Sequence, residues 1–126
     1  MIPADLKYSK EHEWVNVDGD IATIGITDYA QGELGDIVFI ELPDIGTKVK
    51  YMEPFGTIEA VKAVSDLFSP ITGEIIEINI LLESDAGIVN SDPYGEGWII
   101  KVKIDDSSDL DQLMDAANYQ ELIGQS

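Results

Sequence analysis

Cysteine is absent from this chain of 126 residues, and so is any run of about eighteen apolar residues that would span a membrane. Without thiols there is no disulfide framework, no thiolate nucleophile and no zinc site with sulfur ligands. Any redox chemistry would therefore come from an added group. The N-terminal residues also lack the basic segment and apolar stretch of an export signal. These absences predict a soluble, cytoplasmic protein.

Basic residues are scarce as well. Seven lysines, no arginine and one histidine stand against 25 acidic side chains, which gives a formal net charge of -18. This charge excludes binding to a nucleic-acid backbone and disfavours an anionic membrane surface. Electrostatic steering instead favours larger protein partners with positively lined sites. The lone histidine, His12, also predicts that there is no metal centre.

Helical patterns are few, and short apolar alternations dominate. They are broken about every eight to twelve residues by Gly, Pro, Asn or Asp, which predicts a mainly β protein. A tight Asp-Gly turn joins predicted strands at 14–17 and 21–26, and Thr27 or Asp28 can cap a short helix after them. Alternation over 37–42 predicts a further strand with one mainly apolar face.

Two glycine-led segments, 35–42 and 73–80, share an acid followed by branched apolar residues in the same register. This echo predicts two similar half-sheets, although period-two patterns also recur by chance in sheet proteins. The period becomes helical near Ser108, so one or more helices are expected over 108–123, either packing on an open side of the sheet or meeting a partner. We expect a single domain, 1–126, built as a β barrel or sandwich with a short internal helix and C-terminal helices.

Lys62 stands apart because it is the only basic side chain within 51–100. On a helix, Glu59 and Asp66 would make it an ordinary surface ion-pair partner. Strand-forming residues bracketed by glycines favour a hairpin over about 56–73 instead, with the lysine at its tip. A lysine presented on a tight turn is accessible to a ligase that joins an acyl group to the amine. The local pattern leaves both interpretations open.

Four segments of the chain resemble the glycine cleavage H-protein family, in that family's order. The segment around Lys62 reads GTIEAVKAVSDLFSPITGE and is similar to the family's lipoyl-attachment segment. The other three are KYSKEHEW at 7–14, IGITDYA with LGDIVF and ELP within 24–43, and DPYGEGW at 92–98. Val61-Lys62-Ala63 differs from the Asp-Lys-Ala of dehydrogenase lipoyl domains and the Met-Lys-Met of biotin carriers. The resemblance therefore implies a lipoyl-domain-like fold of the H-protein type.

The resemblance implies a carrier rather than an enzyme, with lipoate joined covalently to Lys62. Its implied partners are a pyridoxal-phosphate glycine decarboxylase, an aminomethyltransferase and a dihydrolipoyl dehydrogenase, which would load, unload and reoxidise the arm in turn. A lipoate ligase or octanoyltransferase would install the group. A monomer is expected, because a shuttle that visits several enzymes gains little from a permanent interface.

The resemblance also implies a cleft that protects the carried aminomethyl group. A free amine can expel the thiolate that carries it, whereas an ammonium held by carboxylates in a dry setting cannot. Glu13 and Asp66 are the candidates for this role, with Glu11 and His12 close by. In so acidic a chain each acid can equally be a solvated surface residue, and His12 can be a structural or rim-lining side chain.

Two segments depart from the family pattern. Tyr51-Met52 stands where a turn with glycine is common, which predicts a turn of different shape. Residues 80–88 are apolar where the family is usually polar, and they lack its usual proline near Ala86. Two further hypotheses therefore stay open. One is a relay that passes lipoate or its octanoyl precursor from Lys62 to other lipoyl proteins, and the other is an acidic interaction domain whose lysine stays unmodified.

Overall fold

Two antiparallel β-sheets carry most of the chain in the computed structural model, which describes residues 2–124, so positions 1, 125 and 126 of the predicted domain lie outside the described residues. The strands are β1 Lys7–Tyr8, β2 Glu13–Asp18, β3 Ile21–Ile26, β4 Ile37–Glu41, β5 Lys48–Val49, β6 Pro54–Ala60, β7 Val64–Phe68, β8 Gly73–Ile78 and β9 Ile100–Ile104. The helices are α1 Asp28–Leu34, α2 Leu81–Ser84, α3 Ile88–Ser91 and α4 Ala116–Leu122, with a 3-10 helix at Ser107–Gln112. Within 2–124, no helix is long and apolar enough to cross a membrane.

The mainly β sandwich with short helices is confirmed, and its two sheets differ in size. The larger sheet has six strands in the order β1-β2-β3-β9-β8-β5, and the smaller has three in the order β4-β6-β7. The glycine-led segments 35–42 and 73–80 supply β4 to the smaller sheet and β8 to the larger. The smaller sheet consists of the β6–β7 hairpin with β4 beside it, so the hairpin has a partner strand on one side only.

The main core lies between the sheets. Ile24, Ile75 and Val102 of the larger sheet, with Ile58 and Leu67 of the smaller, are at most 2% exposed and belong to one apolar cluster. Fully burying a side chain of this size contributes about 1.5–3 kcal/mol. Packing of Ile58 and Leu67 therefore fixes the β6–β7 hairpin against the larger sheet.

The β2–β3 hairpin and the cap of α1 are confirmed. Gly19 in the turn has φ 66°, a left-handed conformation that suits glycine. Thr27 caps α1, since Ala30 N donates to Thr27 Oγ1 at 3.2 Å. Both features follow from local residue chemistry and need no long-range contact.

The prediction of one apolar face on 37–42 was wrong. The pairing of β4 with β6 shifts register between Ile37 and Phe39, so the alternation breaks there. Ile37 and Ile40 are buried, whereas Val38 and Phe39 are 58% and 50% exposed. An extra residue in one strand turns the following side chains to the other face, which places two apolar residues on the surface.

The two segments that depart from the family pattern form a turn with a left-handed residue and a pair of short helices. Met52 has φ 62° and Met52 N donates to Ser69 O at 2.6 Å, so this residue adopts the left-handed conformation that glycine would favour. Residues 80–88 form α2 and lead into α3, and they leave Ile80 and Leu81 68% and 45% exposed. Neither change disturbs the β6–β7 hairpin.

The C-terminal segment is helical, as predicted, but in two pieces. The 3-10 helix begins at Ser107 behind the Asp106 cap. The chain then extends, and Met114 N donates to Tyr8 O at 2.7 Å, which interrupts the helix before α4. Tyr119 of α4 stacks on Tyr8 with ring centroids 4.8 Å apart, and both rings are fully buried. This stacking fixes α4 on the edge of the larger sheet.

Candidate functional site

Lys62 lies at the tip of the β6–β7 hairpin. Ala60 N donates to Ala63 O at 2.7 Å and Ala63 N to Ala60 O at 3.4 Å, so Val61 and Lys62 are the two turn residues. Both are exposed, Val61 by 75%. Within residues 2–124, His12 and Met52 are the only non-glycine residues with positive φ. Val61 and Lys62 do not have positive φ, so this turn needs no glycine. The lysine amine is presented to solvent.

The surface ion-pair interpretation of Lys62 does not hold in this structure. In the part of the chain described, the ion pairs join Lys48 and Lys101 to acids, and none includes Lys62. Glu59 and Asp66 lie on strands β6 and β7, so they are not neighbours of Lys62 on a helix face, as such an ion pair requires. The amine is therefore left available for another role.

The tip rests on the loop between α1 and β4. Val61 N donates to Asp36 O at 2.9 Å, which ties the turn to that loop. Gly35 has φ 82°, and a Cβ placed on it would lie 3.2 Å from Lys62 Cε. The lysine stem thus passes close over a residue without a side chain. The loop sets the position from which the amine extends.

A cleft of about 210 Å³ runs between α1 and β7, the edge strand of the smaller sheet. Its apolar lining comes from Ile26, Ala30, Leu34, Ile58, Leu67 and Phe68, and its polar lining from Glu11, His12, Glu33, Ser65 and Asp66. No lysine is among these lining residues. An aliphatic chain fits the apolar wall, and a cation fits the acidic rim.

The predicted cleft residues divide between the rim and the interior. Glu11, His12 and Asp66 line the cleft, but Glu13 is not among its lining residues and is 2% exposed. Ser9 Oγ donates to the Glu13 carboxyl group, which also receives a backbone hydrogen bond from Phe68. Burial raises the pKa of Glu13 to about 8, more than these hydrogen bonds lower it. Glu13 is therefore largely protonated at neutral pH.

Glu33 is a cleft residue that the sequence reasoning missed. It lies on α1 at helical spacing from Ala30 and beside Leu34, both of which line the same wall. The helical spacing of these residues, starting from the Thr27 cap, was the signal that could have found it. With Glu11 and Asp66, it makes three carboxyl groups around the opening.

His12 is held by a hydrogen-bond network. Its Nδ1 lies 2.9 Å from Tyr119 Oη, which lies 2.7 Å from Thr27 Oγ1, and its ring packs against Tyr29 with centroids 5.0 Å apart. Burial lowers the pKa of His12, which favours the neutral ring at neutral pH. His12 thus connects α4 to the rim of the cleft. No cluster of three or more potential ligand side chains within 2–124 could hold a metal ion.

Comparisons with known proteins agree with this architecture. A family model described as "Glycine cleavage H-protein" matches residues 6–126. The glycine cleavage system H protein of Chlorobium limicola is 59% identical over 126 residues, and that of Staphylococcus carnosus is 54% identical over 124 residues, each match covering 98% of both chains. A crystal structure of a glycine cleavage system H protein from Mycobacterium marinum superposes with a TM-score of 0.87 at 36% identity, covering 98% of this chain and 99% of that one.

Proposed function

The chain belongs to the glycine cleavage H-protein family, and on that premise we propose that it carries a lipoyl group on Lys62 among the enzymes of the glycine cleavage system. One observation supports the proposal most strongly. The exposed Lys62 amine extends from a tip that is tied to the loop directly after α1, and α1 forms a wall of the acidic cleft. A group attached to this amine has both solvent and a protected site within reach.

The residues present fit a lipoyl group. The lysine stem passes over Gly35 without obstruction, and the next residue back, Leu34, begins the apolar lining of the cleft. Apolar side chains suit an aliphatic arm, while the rim carboxyl groups suit a cationic amine at its end. When bound, lipoate supplies a disulfide that exchanges with external groups, a chemistry that a chain without cysteine lacks.

In this proposal the cleft acids keep the carried amine protonated. Asp66 and Glu11 lie on the rim with Glu33, where a carboxylate can accept charge-assisted hydrogen bonds from an ammonium group. The apolar wall shields one side of the group from water, which strengthens these contacts. Glu13 lies buried behind the rim, and a cation entering the cleft would favour its ionised form. His12 serves as a neutral rim residue.

The proposed role is that of a carrier and not of an enzyme. Its partners would be a lipoate ligase or octanoyltransferase, the pyridoxal-phosphate glycine decarboxylase, the aminomethyltransferase and dihydrolipoyl dehydrogenase. The net charge of -18 favours fast encounter with basic surfaces around the active sites of those enzymes. We propose that the chain acts as a monomer, since it meets each partner in turn.

The glycine–bicarbonate exchange reaction of the decarboxylase tests the proposal. The chain is first treated with lipoate, ATP and a lipoate ligase, and is then added to the decarboxylase with labelled bicarbonate. Exchange should require ligase treatment and should be lost in Lys62→Arg. A modified chain that donates its group to other lipoyl proteins but supports no exchange would establish the relay instead. No modification and no exchange would leave an acidic interaction domain.

A further inference from the structure

Asn90 of α3 makes three hydrogen bonds to the region between α1 and β4. Its Oδ1 accepts from Ile37 N at 2.9 Å, and its Nδ2 donates to Gly35 O at 2.9 Å and to Gln31 Oε1 at 2.8 Å. The backbone N–H can meet only the amide oxygen, and the two acceptors can meet only the amide nitrogen. The side chain has one consistent orientation, with all three contacts satisfied.

These contacts hold the loop on which the hairpin tip rests. Gly35 and Ile37, both bonded to Asn90, flank Asp36, whose carbonyl accepts the hydrogen bond from Val61 N at 2.9 Å. The Lys62 stem lies against Gly35 itself. The side chain of Asn90 therefore bonds the backbone on both sides of Asp36, next to the point where Ile37 of β4 pairs with Ala60 of β6.

Gln31 extends the same arrangement to the cleft. It is a residue of α1, and α1 supplies Ala30, Glu33 and Leu34 to the cleft lining. One side chain from α3 thus bonds both the loop under the tip and the helix that forms the cleft wall. The direction in which the lysine extends is linked to the position of the site that its cargo would enter.

We propose that Asn90 is a positioning residue that holds the 35–37 loop so that the Val61–Lys62 turn keeps one orientation toward modifying enzymes and toward the cleft. The inference rests on the proposed lipoylation of Lys62 and deepens it. Asn90 touches neither the amine nor the cleft opening, so it acts through the loop. Its loss leaves the amine exposed but removes the hydrogen bonds to Gly35 O and Ile37 N, so the segment under the turn is then held by the pairing of Ile37 with Ala60 and by the Val61 N–H.

The chain offers a matched control in Asn79. Its Nδ2 donates to Glu96 O and to Trp98 O, each at 2.7 Å, and its Oδ1 accepts from Leu81 N at 3.1 Å. The pattern is the same, two donated bonds and one accepted, but the partners belong to α2 and to the 92–98 segment rather than to the segment under the β6–β7 turn. A general loss of stability should affect both asparagine variants, whereas a loss of positioning should affect only the Asn90 variant.

The test compares Asn90→Asp with Asn79→Asp, both isosteric changes that replace the donating amide by a carboxyl group. The lipoylation kcat/KM of each folded variant is measured with a lipoate ligase, and amide hydrogen exchange at Val61 is measured by NMR. In Asn90→Asp we expect the kcat/KM to fall about tenfold, because a reacting group displaced by about 1 Å can cost that much or more. We also expect Val61 N–H exchange to rise about tenfold, because the segment that holds its acceptor, Asp36 O, opens more often. Asn79→Asp should match the wild type in both measurements.

Equal lipoylation and equal Val61 exchange in both variants would overturn the inference, and so would equal losses in both. If either Asp variant is unfolded, Asn90→Ser and Asn79→Ser replace the pair. Failure of the wild type itself to be lipoylated would overturn the proposed function, and Val61 exchange in the unmodified chain would still decide whether Asn90 holds the turn.

Discussion

The β2–β3 and β6–β7 hairpins, each closed by a two-residue turn, end in very different tips. The β2–β3 turn is shaped by Gly19 at φ 66°, and no atom lies within 4 Å of a Cβ placed there. The β6–β7 turn has no glycine, and instead its Val61 N–H is bonded to Asp36 of another loop. Each tip has a backbone hydrogen bond to a segment outside its hairpin, since Ile104 N of β9 donates to Asp20 O at 2.8 Å, but at the β6–β7 tip the lysine stem also lies against the loop after α1. Under the proposed function, the lysine belongs on the tip that rests on a loop beside the cleft.

Moving the lysine from one tip to the other should give the largest effect. We expect the double variant Lys62→Arg with Asp20→Lys to show no lipoylation, because the exposed β2–β3 turn is held by β9, whereas the β6–β7 turn rests on the loop after α1 beside the cleft. Peptide mass spectrometry after ligase treatment shows which lysine carries the lipoyl group. Asp20→Lys alone serves as the control and should be modified only at Lys62. Modification at position 20 would show that exposure on a tight turn is sufficient.

The two hairpins also differ in the burial of an acidic residue on one of their strands. Glu13 begins β2 and is buried, whereas Asp66 of β7 is exposed on the cleft rim. The pKa of Glu13 is about 8 in the folded chain against an ordinary value of 4.5. Between these values the folded state binds more protons than the unfolded state, so the contribution of Glu13 to stability falls as pH rises through this window.

Glu13→Gln should therefore flatten the pH dependence of stability. The wild type should lose up to about 1.4 kcal/mol more per pH unit than Glu13→Gln as the pH rises between 4.5 and 8, and the variant should be the more stable of the two above that range. Urea unfolding at several pH values measures the free energy of unfolding. Parallel curves for the two proteins would show that Glu13 ionises normally and that its burial has no energetic consequence.

Substituting Gly19 in the β2–β3 turn and Gly35 under the β6–β7 turn gives the smallest effect and sharpens the comparison of the tips. Gly35→Ala should lower the free energy of unfolding by about 1–3 kcal/mol, because φ 82° with ψ -158° is a glycine conformation and the added carbon would meet the Lys62 stem. Gly19→Ala should cost about 1 kcal/mol, since only its left-handed backbone is strained. Denaturant unfolding gives both values. Lipoylation should slow in Gly35→Ala only, and an equal slowing in Gly19→Ala would contradict the role given to the loop.

Local chemistry explains which features the sequence could predict. The Asp-Gly turn and the Thr27 cap depend on neighbouring residues, so their patterns were sufficient. The register shift in β4 depends on pairing with β6, and alternation alone does not report it. The burial of Glu13 runs against the usual exposure of acids. Asn90 was missed because its backbone partners Ile37 and Gly35 lie 53 and 55 positions away.

The family resemblance supplied what local pattern could not. Period and turn residues predicted a hairpin around Lys62 but left its lysine between an ion pair and a modification site. The structure places the Lys62 stem on Gly35 and a cleft beside α1, and modification of the lysine stays a prediction. Glu33 lines the cleft because it lies on the same face of α1 as Ala30, and the comparison of family motifs did not use this helical spacing.

Mapping of the modified residue tests the central claim most directly. The wild-type chain is incubated with lipoate, ATP and a lipoate ligase, digested, and analysed by mass spectrometry across all seven lysines. We predict a lipoyl mass increment on the peptide containing Lys62 and on no other lysine. An unmodified Lys62 under conditions that modify a known lipoyl domain, or a lipoyl group on a different lysine, would contradict the account.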